Sequence, residues 1–325
     1  MDIDRSESRE RHLQKAPKED LLHVYDVTVW EPRTPVDKLC ELPFRVVPKK
    51  LILGIVFMAV AFLLLSSTAL AVLEEPVLGG FVAVSVVPAL LLAWYFWMSD
   101  PYERVTATTL AVTYLLGCMM VSVAAVVNTA GQDALIGFTS LGVYLFFFLV
   151  VAPAEEFLKM VAVTLHGYPR LGNAVGGAVL GAFAGLGFAT VENFLYLSGA
   201  LPFSYTELTG TAMARAGVSV GHVLWSAVAG YYIGLAKVVP EHRGALVLKG
   251  FVVAVVLHAT YNSVTVAFFG VGTGAVAPTT WIPAVELGES AQVVFILVFY
   301  IGIGYYVLMK IERHRNAVSE IPGFG

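Results

Sequence analysis

LGVYLFFFLVVAPAEEFLKMVAVTL, residues 141–165, is an apolar run broken by two adjacent glutamates, Glu155 and Glu156, and by Lys159. A helix needs about 20 apolar residues to cross a bilayer. A charge near the bilayer centre costs at least ~2.5–3.5 kcal/mol on insertion scales, so such residues call for a reason. Glu155 and Lys159 stand four apart, on one helix face, and Glu156 and Lys159 stand three apart. Two neighbouring carboxylates in a low dielectric need something positive beside them. Lys159 is one such group and a metal ion would be another. A structural carboxylate–lysine pair joining helices explains this run equally well when it is taken alone.

Outward from it the whole chain reads the same way. It has 325 residues, 58% hydrophobic and 14% charged, with a mean hydropathy of +0.77. Soluble domains hold roughly 45–50% apolar and about 25% charged residues. This excludes a soluble enzyme, a disordered chain and a nucleic-acid binder, and leaves the lipid bilayer as the second solvent. Eight apolar stretches qualify as spans, at 51–73, 77–98, 108–130, 136–164, 173–199, 213–236, 247–269 and 291–310. The expected fold is all-α, a polytopic integral membrane protein of about eight transmembrane helices. A cytoplasmic tail over 1–50 would precede a membrane domain over 51–310 with its core at about 98–265, and a second tail would cover 311–325. The first tail carries ten basic and ten acidic residues and reads as solvated, without a cleavable signal peptide. Cys40 and Cys118 fall in unlike surroundings, so no disulfide is expected.

Positive charges give the orientation. Ten of the 20 Lys and Arg lie in the first tail. Arg104, Arg170, Lys237, Arg243, Lys249, Lys310, Arg313 and Arg315 fall on the same side of the membrane. The opposite loops, near 74–76, 131–135, 200–212 and 270–290, hold only acids: Glu74, Glu75, Asp133, Glu207, Glu286 and Glu289. Both termini are therefore expected in the cytoplasm.

Spans four to seven carry Glu155, Glu156, Glu192, His222 and His258, whereas spans one to three and eight carry no such group in their interiors. Gly177, Gly181 and Gly185 recur every fourth residue before Glu192, a spacing that lets helices approach closely. Asn262 follows His258 by one turn. A lone membrane histidine is commonly an interhelical hydrogen-bonding residue. Two histidines and three glutamates on consecutive spans form a donor set suited to Zn²⁺. There is no HExxH motif, so the donors would have to converge from separate helices.

Taken in order, Glu155-Glu156-x-x-Lys159, Phe188-x-x-x-Glu192-Asn193, His222 and His258-x-x-x-Asn262 resemble the motifs of the PrsW family of intramembrane proteases. More distantly they resemble the type II CAAX prenyl endopeptidases. The stretches 185–193 and 215–230, and Asp100-Pro101-Tyr102-Glu103, also look like segments of the PrsW family, and the likeness covers roughly 98–265. The resemblance implies hydrolysis of a peptide bond in a membrane-anchored protein substrate, within a prokaryotic cell membrane. In that family the glutamate pair and a histidine are viewed as the catalytic core. The CAAX-type pattern carries a histidine where this chain, like PrsW members, has Glu192. A histidine-only ligand set therefore does not carry over. The CAAX branch has also been argued to be metal-free, with a glutamate as base.

The expected scheme has His222, His258 and Glu192 hold one metal ion, Zn²⁺. Metal binding lowers the pKa of a water from ~15.7 towards ~7. Glu155 or Glu156 would be the general base, with Lys159 beside it. Asn262 would donate to the developing oxyanion or fix the His258 ring. A metal-free variant keeps the glutamate base and turns the histidines to the oxyanion. A proton- or cation-coupled transporter using the same groups is the rival from another class, and a non-catalytic membrane adaptor is a third reading. Internal symmetry would favour the transporter, and none is legible. One difficulty follows from depth. Glu155 lies nine residues from the cytoplasmic end of span four and Glu192 nineteen from that of span five, an offset of roughly 15 Å at ~1.5 Å per residue. The substrate's identity and the oligomeric state have no signature in the sequence.

Overall fold

Residues 76–99, 104–135, 141–199, 204–269 and 289–319 are described by a computed structural model, and every regular element among them is helical. In chain order they are α1 (Pro76–Met98), α2 (Ala107–Leu135), α3 (Gly142–Phe146), α4 (Ala152–Ala162), α5 (Ala174–Gly199), α6 (Tyr205–Val238), α7 (Arg243–Phe269) and α8 (Glu289–Ser319). α1, α2, α5, α6, α7 and α8 are long and apolar enough to cross a membrane. The protein is an all-α polytopic integral membrane protein. The expected span at 51–73 and the tail over 1–50 lie outside the described residues. α8 continues to Ser319, so the expected tail from 311 onward begins as helix.

The fourth expected span differs in form. α3 passes through a π-helical turn, Phe147–Val151, into α4, then through a second, Val163–Gly167, into a short 3-10 turn, Tyr168–Arg170. The helical path thus runs on to Arg170 and not to 164. Glu155 now stands fifteen residues before that end, and Glu192 eighteen after the start of α5. Most of the anticipated depth offset disappears in this extension.

α6 also begins earlier than its apolar window. Ser204 caps it: the Glu207 amide donates to Ser204 Oγ at 3.4 Å, and the Ser204 amide donates to Glu207 Oε2 at 2.8 Å. This reciprocal capping box satisfies two helix-end donors and starts the helix at Tyr205, eight residues before the expected 213.

α5 and α6 form the enclosed centre, while α1 and α8 turn most of their apolar surface outward. The outward residues include Leu91, Trp94, Leu297 and Ile301, as lipid-facing helices require. The glycine stripe explains the central contact. A Cβ on Gly181 would strike the Ser226 carbonyl, one on Gly185 the His222 carbonyl, and one on Gly177 the backbone at Gly230 and Gly234. On the other flank of α5, Gly187 abuts the Tyr114 carbonyl of α2. Backbone against backbone leaves no side chain to yield. Gly181→Ala is therefore expected to destabilise the fold by about 1–3 kcal/mol or more. Gly217, with open space around its Cα, should accept alanine without loss. Thermal unfolding of both variants in detergent checks this; equal midpoints would contradict it.

Candidate active site

α4 brings Glu155, Glu156 and Lys159 into the centre, α5 brings Glu192 and Asn193, α6 brings Arg215 and His222, and α7 brings His258. Glu155, Glu156, Lys159, His222 and His258 are all buried. The close α5–α6 contact through Gly185 and the His222 backbone is what sets the His222 ring over Phe188, with centroids 5.5 Å apart.

Each histidine is held by a carboxylate. His258 Nδ1 lies 2.9 Å from Glu156 Oε1. His222 Nε2 lies 2.9 Å from Glu192 Oε2. A neutral imidazole has one donor nitrogen and one acceptor nitrogen. The carboxylates take the N–H in both cases, which leaves His258 Nε2 and His222 Nδ1 as lone-pair donors. The Lys159 ammonium donates to His222 Nδ1 at 2.6 Å and to Glu156 Oε1 at 2.7 Å. Trp225 lies flat on the His258 ring, centroids 4.3 Å apart and 14° between planes, and edge-on to His222 at 5.2 Å. The two imidazoles are 5.2 Å apart.

Glu155 accepts from Asn128 Nδ2 at 3.1 Å through Oε1. Its Oε2 is buried without a hydrogen-bond partner, 3.9 Å from both His258 Nε2 and Lys159 Nζ. An unpartnered buried carboxylate oxygen is costly unless a cation meets it. Glu155, His222 and His258 each present one ligand atom, all within 4.8 Å of one another. Two imidazoles and one carboxylate are a donor set that fits a divalent metal with a position left open.

Two residues stand differently from the expected ligand scheme. Glu192 is engaged by the Arg215 guanidinium through Nη2, so its carboxylate is committed to an ion pair and to the His222 ring. Glu155 stands among the metal-capable donors in its stead. Asn262 turns no side-chain hydrogen bond into the cluster; its carbonyl accepts from Thr265 Oγ1 at 3.0 Å. The His258 ring is fixed by Glu156 and Trp225 instead.

Sequence reasoning did not assign Arg215, Asn193 or Asn128. Arg215 Nε donates to Asn193 Oδ1 at 2.8 Å, and Asn193 Nδ2 donates to Ser85 Oγ and Ser219 Oγ, both at 2.8 Å. The Arg215 guanidinium also lies 4.3 Å over the Tyr196 ring. This polar knot ties α1, α5 and α6 together. The available signal was Arg215 itself, a cation at the edge of an apolar run with Glu192 as its nearest acid across one helix turn-around. Three carboxylates, those of Glu155, Glu156 and Glu192, share two cations, Lys159 and Arg215, in the cluster.

Depth is uneven. His258 and His222 lie near the middle of their helices, whereas Glu192 is seven residues from the Gly199 end of α5 and Arg215 ten from the Tyr205 start of α6. The network therefore leans toward the end of the bundle where α5 turns into α6.

Residues 106–303 match the family described as "PrsW family intramembrane metalloprotease". The chain is 29% identical to Protease PrsW of Shouchella clausii over 198 residues, 58% of this chain and 84% of that protein. It is 28% identical to Protease PrsW of Geobacillus kaustophilus over 185 residues, 56% and 77% of the two chains. It is 27% identical to Protease PrsW of Bacillus subtilis over 190 residues, 57% and 83%. No solved structure matches the chain.

Proposed function

The chain belongs to the PrsW family of intramembrane metalloproteases, and from that premise we propose that Glu155, His222 and His258 hold a divalent ion, Zn²⁺, and that Glu156 is the general base. The observation that carries this reading is the buried, partnerless Glu155 Oε2 facing His258 Nε2. A zinc ion held by these three residues would supply Lewis acidity there.

The protein's own groups do the remainder. Glu156 Oε1 is tied to His258 and Lys159, while its Oε2 is buried without a partner and free to accept a proton. Water adds its oxygen to the carbonyl carbon and gives one proton to Glu156. Glu156 passes that proton to the departing amide nitrogen as the C–N bond breaks. Lys159 donates to Glu156 at 2.7 Å and stands close enough to steady negative charge. Glu192 and Glu156 act as the carboxylates that fix tautomer and orientation of His222 and His258. Arg215 holds Glu192 in place.

The substrate is a membrane-anchored protein whose chain presents its scissile bond between the helices. The enzyme resides in a prokaryotic cell membrane with both termini cytoplasmic, in keeping with the distribution of Lys and Arg. Hydrolysis then falls near mid-depth, where Glu155, Glu156, His222 and His258 lie along their helices. The catalytic core spans about 98–265, with cytoplasmic segments over 1–50 and 311–325, the second of which begins within α8.

The test is a pair of measurements on detergent-purified full-length protein. Glu156→Gln should retain one metal ion per chain in elemental analysis. Cleavage of a fluorescent single-span reporter in proteoliposomes should fall by about 10²–10⁴-fold, the range of a lost general base. Metal loss in this variant, or cleavage near the wild-type rate, would sink the assignment of Glu156.

A further inference from the structure

We propose that the Lys159 ammonium and the metal ion compete for one position, so that Lys159 is a resident cation which a divalent ion must displace from His222. The inference rests on the metal reading above and adds a second occupant to the same site.

The argument is a count of lone pairs. His222 gives its Nε2 hydrogen to Glu192 and therefore has one ligating atom left, Nδ1. Lys159 Nζ occupies that lone pair at 2.6 Å. A nitrogen lone pair serves one partner, so His222 reaches a metal only after the ammonium withdraws. The other donors point at the same region. Glu155 Oε2 is 3.9 Å from Lys159 Nζ and 3.9 Å from His258 Nε2. An ammonium and a metal ion at that place would meet the same carboxylates.

The withdrawn ammonium has somewhere to go without leaving the protein. It keeps its 2.7 Å bond to Glu156 Oε1 and turns on its four-carbon stem toward the Phe188 face, whose centroid is already 4.5 Å away. A cation over an aromatic face in a dry site is held by the ring's quadrupole. No proton changes hands in this exchange: one cation moves aside as another arrives. The ammonium thus gives the buried carboxylates a cation before an ion is acquired.

Three full-length chains, stripped with chelator in detergent and titrated calorimetrically with Zn²⁺, test the proposal. Lys159→Met removes the competitor while keeping the length of the stem. It should bind one ion with a Kd at least tenfold below wild type. Lys159→Arg holds a fixed, larger cation at the same place and should bind at least tenfold more weakly than wild type. Thermal unfolding gives a second readout. Stripped Lys159→Met should melt below wild type, because the carboxylates have lost their cation, and Zn²⁺ should raise its midpoint by more than it raises the wild type's. Should Lys159→Met fail to fold, the comparison of wild type with Lys159→Arg still decides. Wild type binding as weakly as Lys159→Arg, or more tightly than Lys159→Met, overturns the exchange while leaving the metal site intact. No binding in any of the three overturns the metal site as well.

Discussion

His258→Ala is expected to empty the metal site and to reduce cleavage by more than about 10³-fold, since Lewis acidity and the positioning of the base are lost together. The ring does three things at once. Its Nε2 faces Glu155 as a ligand atom, its Nδ1 holds Glu156 at 2.9 Å, and its face packs on Trp225. Alanine removes all three and leaves Glu156 with Lys159 as its sole remaining partner among those contacts. Elemental analysis should fall from one ion per chain to none. The contrast with Glu156→Gln is the informative part, because that variant loses the rate and retains the ion. A His258→Ala protein that binds metal stoichiometrically would show that the donors lie elsewhere.

The second large effect concerns stability. Arg215→Met should lower the unfolding free energy by about 3–5 kcal/mol, the range for removing one member of a buried ion pair. Glu192 would then sit in the bundle with only His222 Nε2 as a donor, and Asn193 Oδ1 would lose its bond from Arg215 Nε. The double variant Arg215→Met with Glu192→Gln removes the stranded charge and should recover more than half of the loss. Unfolding in a graded denaturing detergent, followed by the five tryptophans, measures all three chains. A double variant no more stable than Arg215→Met would mean that the cost lies in the Asn193–Ser85–Ser219 knot and not in the charge pair.

Much of this architecture is written in hydrophobicity. The spans at 77–98, 108–130, 173–199 and 247–269 match α1, α2, α5 and α7 within a few residues, because lipid demands long apolar runs and little else in the chain competes with that demand. Boundaries failed where another force set them. α6 starts at a capping box and not at its first apolar residue. The helix carrying Glu155 runs to Arg170 through polar residues such as His166, which a hydropathy window discards. The convergence of Glu155, Glu156, Lys159, Glu192, His222 and His258 was legible because ionisable groups in lipid have few places to hide. The division of labour among them was not. Which carboxylate keeps an open oxygen beside the imidazoles and which is paired with a guanidinium depends on Arg215. Its reach across to Glu192 is a matter of helix rotation that a linear string does not encode. Asn262 shows the converse: one-turn spacing from His258 promised a partnership, and the ring found Glu156 on another helix.

The turn ahead of the glutamates has a final consequence. In the π-helical segment Phe147–Val151 the Ala152 amide reaches back five residues to the Phe147 carbonyl, and the next residue, Pro153, has no amide hydrogen at all. A wider turn takes up that missing donor, and it holds one residue more than an α-helical turn. Everything after it is therefore swung by about 100° around the helix axis relative to an unbroken α-helix. Glu155 comes one turn later, so the face on which Glu155, Glu156 and Lys159 meet the two histidines is chosen by a main-chain irregularity that none of those five residues belongs to.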